Sequence, residues 1–255
     1  MKIKIKKELG QNFIINKGII KNLIKIINVK KYDTIVEIGS GIGLITQKVL
    51  DITKNKIYSI EIDNQLRKML VNKFYFYSNY IFFKKDILKS DLSNIKNSRV
   101  IGNLPYNISV KILLNLIKYK KYIKDMHLMF QKEVAMKLSA KKGENNWSSI
   151  SVIIQYFCKV FKVLDLSSDK FIPKPKVIST LIKLIPNNLI PKQLRVKDKN
   201  KFVYIVKKSF SNKRQTLQNN LKGLINSLNI SPKRRAKTLT IKEFVKLTNT
   251  IIELK

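Results

Sequence analysis

Cysteine and histidine are almost missing from this 255-residue chain, which holds one of each, Cys158 and His127. A single cysteine permits no internal disulfide and no cysteine-cluster metal site. One histidine adds nothing to a metal case, so no metal is expected. His127 lies in a strand-like run over 126–130 and reads as a satisfied core or edge residue. No apolar stretch is long and charge-free enough to span a bilayer. Residues 1–7 are basic but lack the apolar core of a secretory signal. The expected setting is the cytoplasm, with no membrane partner. Internal repeats are also lacking.

Acidic residues are scarce: 16 against 52 basic, a formal charge of +36. Such a field favours a polyanion, nucleic acid first. Arginine occurs only at 67, 99, 195, 214, 234 and 235, so lysine supplies 46 of the 52. Lysine, isoleucine and asparagine dominate together, as under AT-rich codon usage, and many lysines therefore read as solvated surface. A hydrophobic content of 44% excludes wholesale disorder and allows one large domain, or one large and one small.

What is present is an alternation. Helical periodicity over 17–29, with Asn16 as N-cap, precedes a strand at 34–38. Strands at 56–60, 80–84, 99–101 and 127–130 interleave with helices at 44–50, 64–72 and 109–117. This order predicts a parallel sheet covered on both faces. Two β-rich runs, 151–166 and 177–185, with Pro173 and Pro175 between them, predict an antiparallel hairpin at the sheet edge. Beyond 191 the expected elements are helices, at 201–209, 214–228 and 241–254. From Asn187 onward there are 17 basic and 3 acidic residues, a net +14. The composition shift sets the expected boundary: domains at 1–187 and 188–255.

Two clusters carry chemistry. Glu37-Ile38-Gly39-Ser40-Gly41-Ile42-Gly43 follows the first strand of the alternation and opens a helix. Glycines there let a ligand approach the backbone, either a dinucleotide pyrophosphate or the amino-acid end of S-adenosylmethionine. The spacing is not that of the dinucleotide fingerprint. Glu61, at the next strand's tip, can accept both ribose hydroxyl protons, and Asp86, at the third, an adenine amine. Acids at successive strand ends favour the methyl donor. The second cluster is Asn103-Leu104-Pro105-Tyr106 at the mouth of a buried strand. Asn103 offers an acceptor for an amine N–H, a backbone carbonyl beside Pro105 a second, and Tyr106 a stacking face. An enzyme that modifies a base amine needs such a grip on an extruded base. Alone, Asn-x-Pro is also ordinary turn chemistry.

With these motifs assembled, the chain resembles the small-subunit ribosomal RNA adenine N6-dimethyltransferases over roughly residues 8–250. Leu9-Gly10-Gln11-Asn12-Phe13-Ile14 is similar to the family's N-terminal donor-contacting motif. Residues 37–43, Glu61 and Asp86 resemble its three donor-binding segments. Residues 103–106 match its catalytic motif, 125–135 a further signature, and 171–177 the loop whose phenylalanine lies beside the target base. Residues 210–217 resemble its RNA-facing stretch. Two departures are Ser40, where proline is common, and Asn212-Lys213-Arg214, a looser match to paired arginines.

The resemblance implies a Rossmann-like S-adenosylmethionine-dependent methyltransferase domain with an antiparallel edge hairpin, plus a small basic helical RNA-binding domain. The implied catalytic set is Asn103, Leu104, Pro105, Tyr106 and Phe171. The implied donor set is Asn12, Ile14, Gly39, Glu61, Asp86 and Asn103. Lys213, Arg214, Arg234 and Arg235 are candidate RNA contacts. The implied substrate is a pair of adjacent adenosines in a hairpin near the 3′ end of small-subunit rRNA, met by a monomer within the assembling small subunit. Competing readings are an adenine methyltransferase of large-subunit rRNA, a non-catalytic RNA-binding assembly factor and, weakest, a nicotinamide-dependent dehydrogenase.

Overall fold

The computed structural model describes residues 5–83, 85–224 and 230–253. In the first part of the chain, apolar periodicity and turn chemistry agree with the elements formed. Helix α1 (Lys17–Ile27) buries Ile20, Leu23, Ile24 and Ile27. Asn16 caps its start, with Oδ1 accepting from Ile19 N at 3.0 Å, and Asn28 ends it in the left-handed region at φ 56°. Strand β1 (Phe13–Ile14) precedes it. There follow β2 (Thr34–Ile38), α2 (Leu44–Leu50), β3 (Ile57–Ile60), α3 (Asn64–Lys73), β4 (Tyr80–Phe83), β5 (Ser98–Asn103), α4 (Ser109–Lys118) and β6 (Ile123–Gln131). Lys84, expected to close β4, lies outside the described residues.

The second part holds α5 (Lys132–Ser139), α6 (Ser149–Phe157), β7 (Cys158–Leu166), β8 (Phe171–Ile172), β9 (Ser179–Pro186), α7 (Lys199–Ser209), α8 (Leu217–Asn220) and α9 (Ile241–Glu253). One sheet runs β4-β3-β2-β5-β6-β9-β7. Its first five strands are parallel, and β9 is antiparallel to β6. Ile35, Val36, Ile57, Val100, Ile101, Met126, Leu128 and Phe130 are each no more than 1% exposed. Strands buried on both faces read as continuous apolar runs, which is why their sequences announced them.

Two sequence expectations fail here. Residues 151–157 form a helix, not the first half of a strand. Val152, Ile153, Ile154, Tyr156 and Phe157 are all buried, so no polar face breaks the run into a 3.6-residue period. Its start is fixed locally, with Ser148 N donating to Ser151 Oγ at 3.0 Å. The helix expected over 214–228 is only α8 among the described residues, and residues 225–229 lie outside them, as does Leu254. Asn220 folds the chain back just after α7, donating to Ser209 O at 2.7 Å and Asn212 O at 3.0 Å.

The chain divides into two compact units: Met1–Ala135 with Phe161–Pro186, and Met136–Val160 with Asn187–Lys255. The structure thus draws the division differently from the single boundary expected near 187. Residues 136–160 join the second unit because α6 packs on α7 and α9: the Tyr156 and Phe202 rings are 4.6 Å apart, and Trp147 Nε1 donates to Leu239 O at 3.3 Å.

At the N-terminal end of β5 a buried ion cluster ties the first unit together. Arg99 donates to Asp125 Oδ1 and Oδ2 at 2.8 and 2.9 Å, to Asp33 Oδ2 at 2.8 Å, and to the carbonyls of Asn28 and Ile27 at 2.9 and 2.7 Å. His127 is core, 1% exposed, but not satisfied: Nδ1 has no hydrogen-bond partner among the described residues. Burial lowers its pKa to about 4, so the imidazole is neutral.

Candidate active site

The chain leaves β2 toward β3 and β4 on one side, and leaves β5 toward β6 on the other. The carboxyl ends of β2 and β5, paired as Ile38 with Gly102, therefore flank a topological switch point. The glycine-rich turn and the Asn103 motif both begin there. Gly39, at φ +70°, would place a Cβ 3.4 Å from the Asn103 carbonyl, so the two motifs meet closely. Gly41, at φ +57°, would place one 2.9 Å from the Phe13 ring. Turn and N-terminal segment thus form a cleft with space that side chains would close.

Three acids line this cleft. Glu61 is 7% exposed; its Oε2 accepts from Gly41 N at 3.1 Å and its Oε1 from Asp63 N at 3.0 Å. Burial raises its pKa against these bonds. The carboxylate keeps acceptor capacity for a further donor. Glu37 is 2% exposed and accepts from Thr46 Oγ1 at 2.6 Å. Burial pushes its carboxyl up to about 7, against hydrogen bonds from Thr46 and Ser40. Ser40 also contacts Ser59, Oγ to Oγ 2.6 Å, and so extends a buried polar chain beneath the turn. Asp86 caps the short turn Ile87–Lys89, with Oδ1 accepting from Leu88 N at 2.9 Å.

The N-terminal segment closes the cleft through long-range bonds. Gln11 Nε2 donates to Asp63 Oδ2 at 2.7 Å and Lys6 Nζ to Asp63 Oδ1 at 2.9 Å. β1 pairs with β8, Ile14 opposite Phe171. Asn103 Nδ2 donates to Asn12 O at 2.5 Å. That bond fixes the Asn103 amide, and Oδ1 is buried with no hydrogen-bond partner among the described residues. A buried acceptor without a donor costs about 1–3 kcal/mol, so an occupant that donates to it is favoured.

Asn12, Ile14, Gly39, Glu61, Asp86, Asn103, Leu104 and Pro105 are thus brought around one cleft. Tyr106 does not line it. Its ring is half-buried, with the hydroxyl hydrogen-bonded to Ser179 Oγ. Phe171 does not line the cleft either: at 1% exposure it belongs to the core cluster with Ile14, Met129 and Leu181. Phe13, also a cleft wall, belongs to the N-terminal motif already singled out, whereas sequence reasoning missed Ile108 and Ile112. Their apolar types match ordinary core positions, so only three-dimensional placement marks them.

The basic candidates fall in the second unit. Lys213, Arg214 and Arg235 are exposed. The backbone brings their segments side by side, with Thr216 bridged to Arg235 and Leu217 N donating to Arg234 O at 2.7 Å. Arg234 differs from its neighbours: its guanidinium is engaged within the unit, with Glu243 Oε1 at 2.5 Å and Thr238 O at 2.6 Å.

"Ribosomal RNA small subunit methyltransferase A" of Clostridium botulinum (strain Loch Maree / Type A3) is 36% identical over 265 residues, covering 98% of this chain and 95% of that protein. Its namesake from Buchnera aphidicola subsp. Baizongia pistaciae (strain Bp) is 38% identical over 255 residues, covering 96% of each. A crystal structure of a dimethyladenosine transferase from Plasmodium falciparum superposes with a TM-score of 0.78 at 27% identity, covering 92% of this chain and 95% of that one. Residues 2–253 match the family described as ribosomal RNA adenine dimethylase, and the chain belongs to that family.

Proposed function

We propose that this protein transfers methyl groups from S-adenosylmethionine to N6 of two adjacent adenosines in a hairpin near the 3′ end of small-subunit rRNA. The product is N6,N6-dimethyladenosine, formed by a monomer acting in the cytoplasm during small-subunit biogenesis. The observation that carries the reading is Asn103 Oδ1, a buried acceptor without a partner at the switch point, held in place by Nδ2 on Asn12 O. An adenine amine supplies the donor it lacks.

The N6 lone pair is conjugated with the ring and is a poor nucleophile. Asn103 Oδ1 and the Leu104 carbonyl accept the two N6–H bonds, which favours a tetrahedral nitrogen whose lone pair points at the methyl group. Tyr106, suspended from Ser179, stacks on the base. Glu61 takes the donor's ribose hydroxyls, Asp86 its adenine amine, and Asn12, Ile14 and Gly39 border it. S-adenosylmethionine would carry the methyl group on a sulfonium, so that the C–S bonding pair leaves with a neutral thioether as the N–C bond forms. The residues therefore contribute position and hydrogen bonding, and the proton leaves after transfer. A second round needs only that the pocket admit one methyl already present. No step requires a metal. The exposed Lys213, Arg214 and Arg235 contact RNA phosphates, with Arg234 holding their segment.

The test is to incubate small subunits lacking the modification with labelled donor and map the methylated bases. Dimethylation of two adjacent adenosines near the 3′ end is expected. Modification of large-subunit RNA alone, or none, would overturn the reading.

A further inference from the structure

Helix α4 carries a buried amide that the reaction above leaves without a role. Asn115 is 7% exposed and sits among the buried Ile112, Leu113, Leu116 and Ile117. A leucine there would serve packing as well, and a buried amide is costly unless bonded. Its Nδ2 donates to Ile87 O at 2.9 Å. One turn further along, at the end of α4, Tyr119 Oη donates to Ser90 O at 3.2 Å. Both carbonyls belong to the short turn that Asp86 opens, whose other bonds are internal: Lys89 N and Ser90 Oγ to Asp86 O, each at 2.9 Å. Ile112, on the same side of α4 at i−3 from Asn115, lines the cleft with Asp86 and Ile87. One helix thus forms an apolar wall of the cleft and ties down the turn that presents its carboxylate.

We infer that Asn115, assisted by Tyr119, is a positioning residue that sets the donor's base specificity by holding the Asp86 turn where its carboxylate meets the 6-position of the purine. This rests on the reading of Asp86 as acceptor for the donor's adenine amine. A 6-amino purine donates an N–H to that carboxylate; a 6-oxo purine presents a carbonyl oxygen to it and is repelled. The contrast depends on where the carboxylate stands. Contacts of the base with Ile87, Ile108 and Ile112 are the same for both purines. Loosening the turn therefore weakens binding of the amino form and, by easing the repulsion, does not weaken the oxo form.

The experiment is calorimetric titration with S-adenosylhomocysteine and its hypoxanthine counterpart, S-inosylhomocysteine. Wild type is compared with Asn115→Leu, Tyr119→Phe and Asp86→Ala, and thermal melts confirm folding. Wild type should prefer the adenine ligand, and Asp86→Ala should lose most of that preference. Asn115→Leu should reduce the ratio by about fivefold to tenfold, the worth of one hydrogen bond, with S-inosylhomocysteine affinity not weakened. Tyr119→Phe, at a half-buried site that tolerates loss of a hydroxyl, should reduce it in the same direction by less, and carries the test alone if Asn115→Leu does not fold. The inference is overturned if the ratio survives in every folded variant at 115 and 119 while Asp86→Ala loses it. It is equally overturned if Asn115→Leu weakens both ligands alike, since that is a packing defect. Absence of an adenine preference in wild type would instead show that Asp86 was misread, and the inference would fall with it.

Discussion

Replacing Asn103 by alanine should separate activity from stability, because the two effects have different origins in the structure. On the stability side, the variant loses the Nδ2 bond to Asn12 O, worth about 1 kcal/mol, but also removes a buried Oδ1 that has no partner, a relief of about 1–3 kcal/mol. These oppose each other. The melting temperature should stay within about 4 °C of wild type, on the scale of about 2–4 °C per kcal/mol for a domain of this size. On the catalytic side, the acceptor that aligns the reacting amine is gone. Loss of one preorganised hydrogen-bonding group at a reacting centre costs about 2.7–4 kcal/mol, or about 10²–10³ in kcat. Asn103→Asp keeps an acceptor but replaces the tethering N–H₂ by an oxygen facing the Asn12 carbonyl, so its rate should fall between the two. Single-turnover methyl transfer to unmodified small subunits, with melting curves on the same preparations, reads both quantities. Near-wild-type dimethylation by Asn103→Ala, or a loss matched by the fraction unfolded, would refute the reasoning.

Other variants probe other parts of the design. Glu61→Ala should weaken donor binding by about 1–3 kcal/mol, several-fold to over a hundredfold in calorimetry, since the ribose hydroxyls and the Gly41 and Asp63 N–H groups all lose an acceptor. Glu37, held at about 7 against an ordinary 4.5, keeps its proton in the folded state to higher pH than in the unfolded chain. Wild-type stability should therefore fall as pH rises between those values, by about 3 kcal/mol in total, and denaturant titrations of Glu37→Gln should lack that component. Arg99→Met leaves Asp125 buried without its cation and Asp33 with only the exposed Lys124 at 3.3 Å, and should cost about 3–5 kcal/mol in the same assay. Donor affinity of the folded fraction should be unchanged, because Arg99 lies four residues along β5 from Asn103, about 13 Å away. Lys213→Ala, Arg214→Ala and Arg235→Ala should each reduce the salt dependence of RNA binding by about one unit of slope, whereas Arg234→Ala should act on the stability of the second unit through Glu243.

The sequence determined most of what depends on neighbours along the chain. From α1 to β6 the strands and helices were legible because parallel strands are continuous apolar runs and α1 opens at an Asn cap, whereas the short β1 carried no such signal. The glycine turn, Glu61, Asp86 and residues 103–106 were legible because each sits at a strand end, where the chain must change direction and side chains can face a ligand. Tertiary structure alone decided the rest. Val152, Ile153, Ile154, Tyr156 and Phe157 are β-branched or aromatic, yet they are helical where α6 packs on α7 and α9, so propensity yields to packing. The same enclosure assigns residues 136–160 to the second unit. Phe171, expected to flank the base, is a buried core residue paired in register with Ile14, a segment 157 positions away in the chain. The state of Asn103, with one amide atom tied to a residue 91 positions away and the other left bare, has no trace in the local sequence. Periodicity and turn chemistry are local and survive in one dimension; which buried group finds a partner is settled only when distant segments meet.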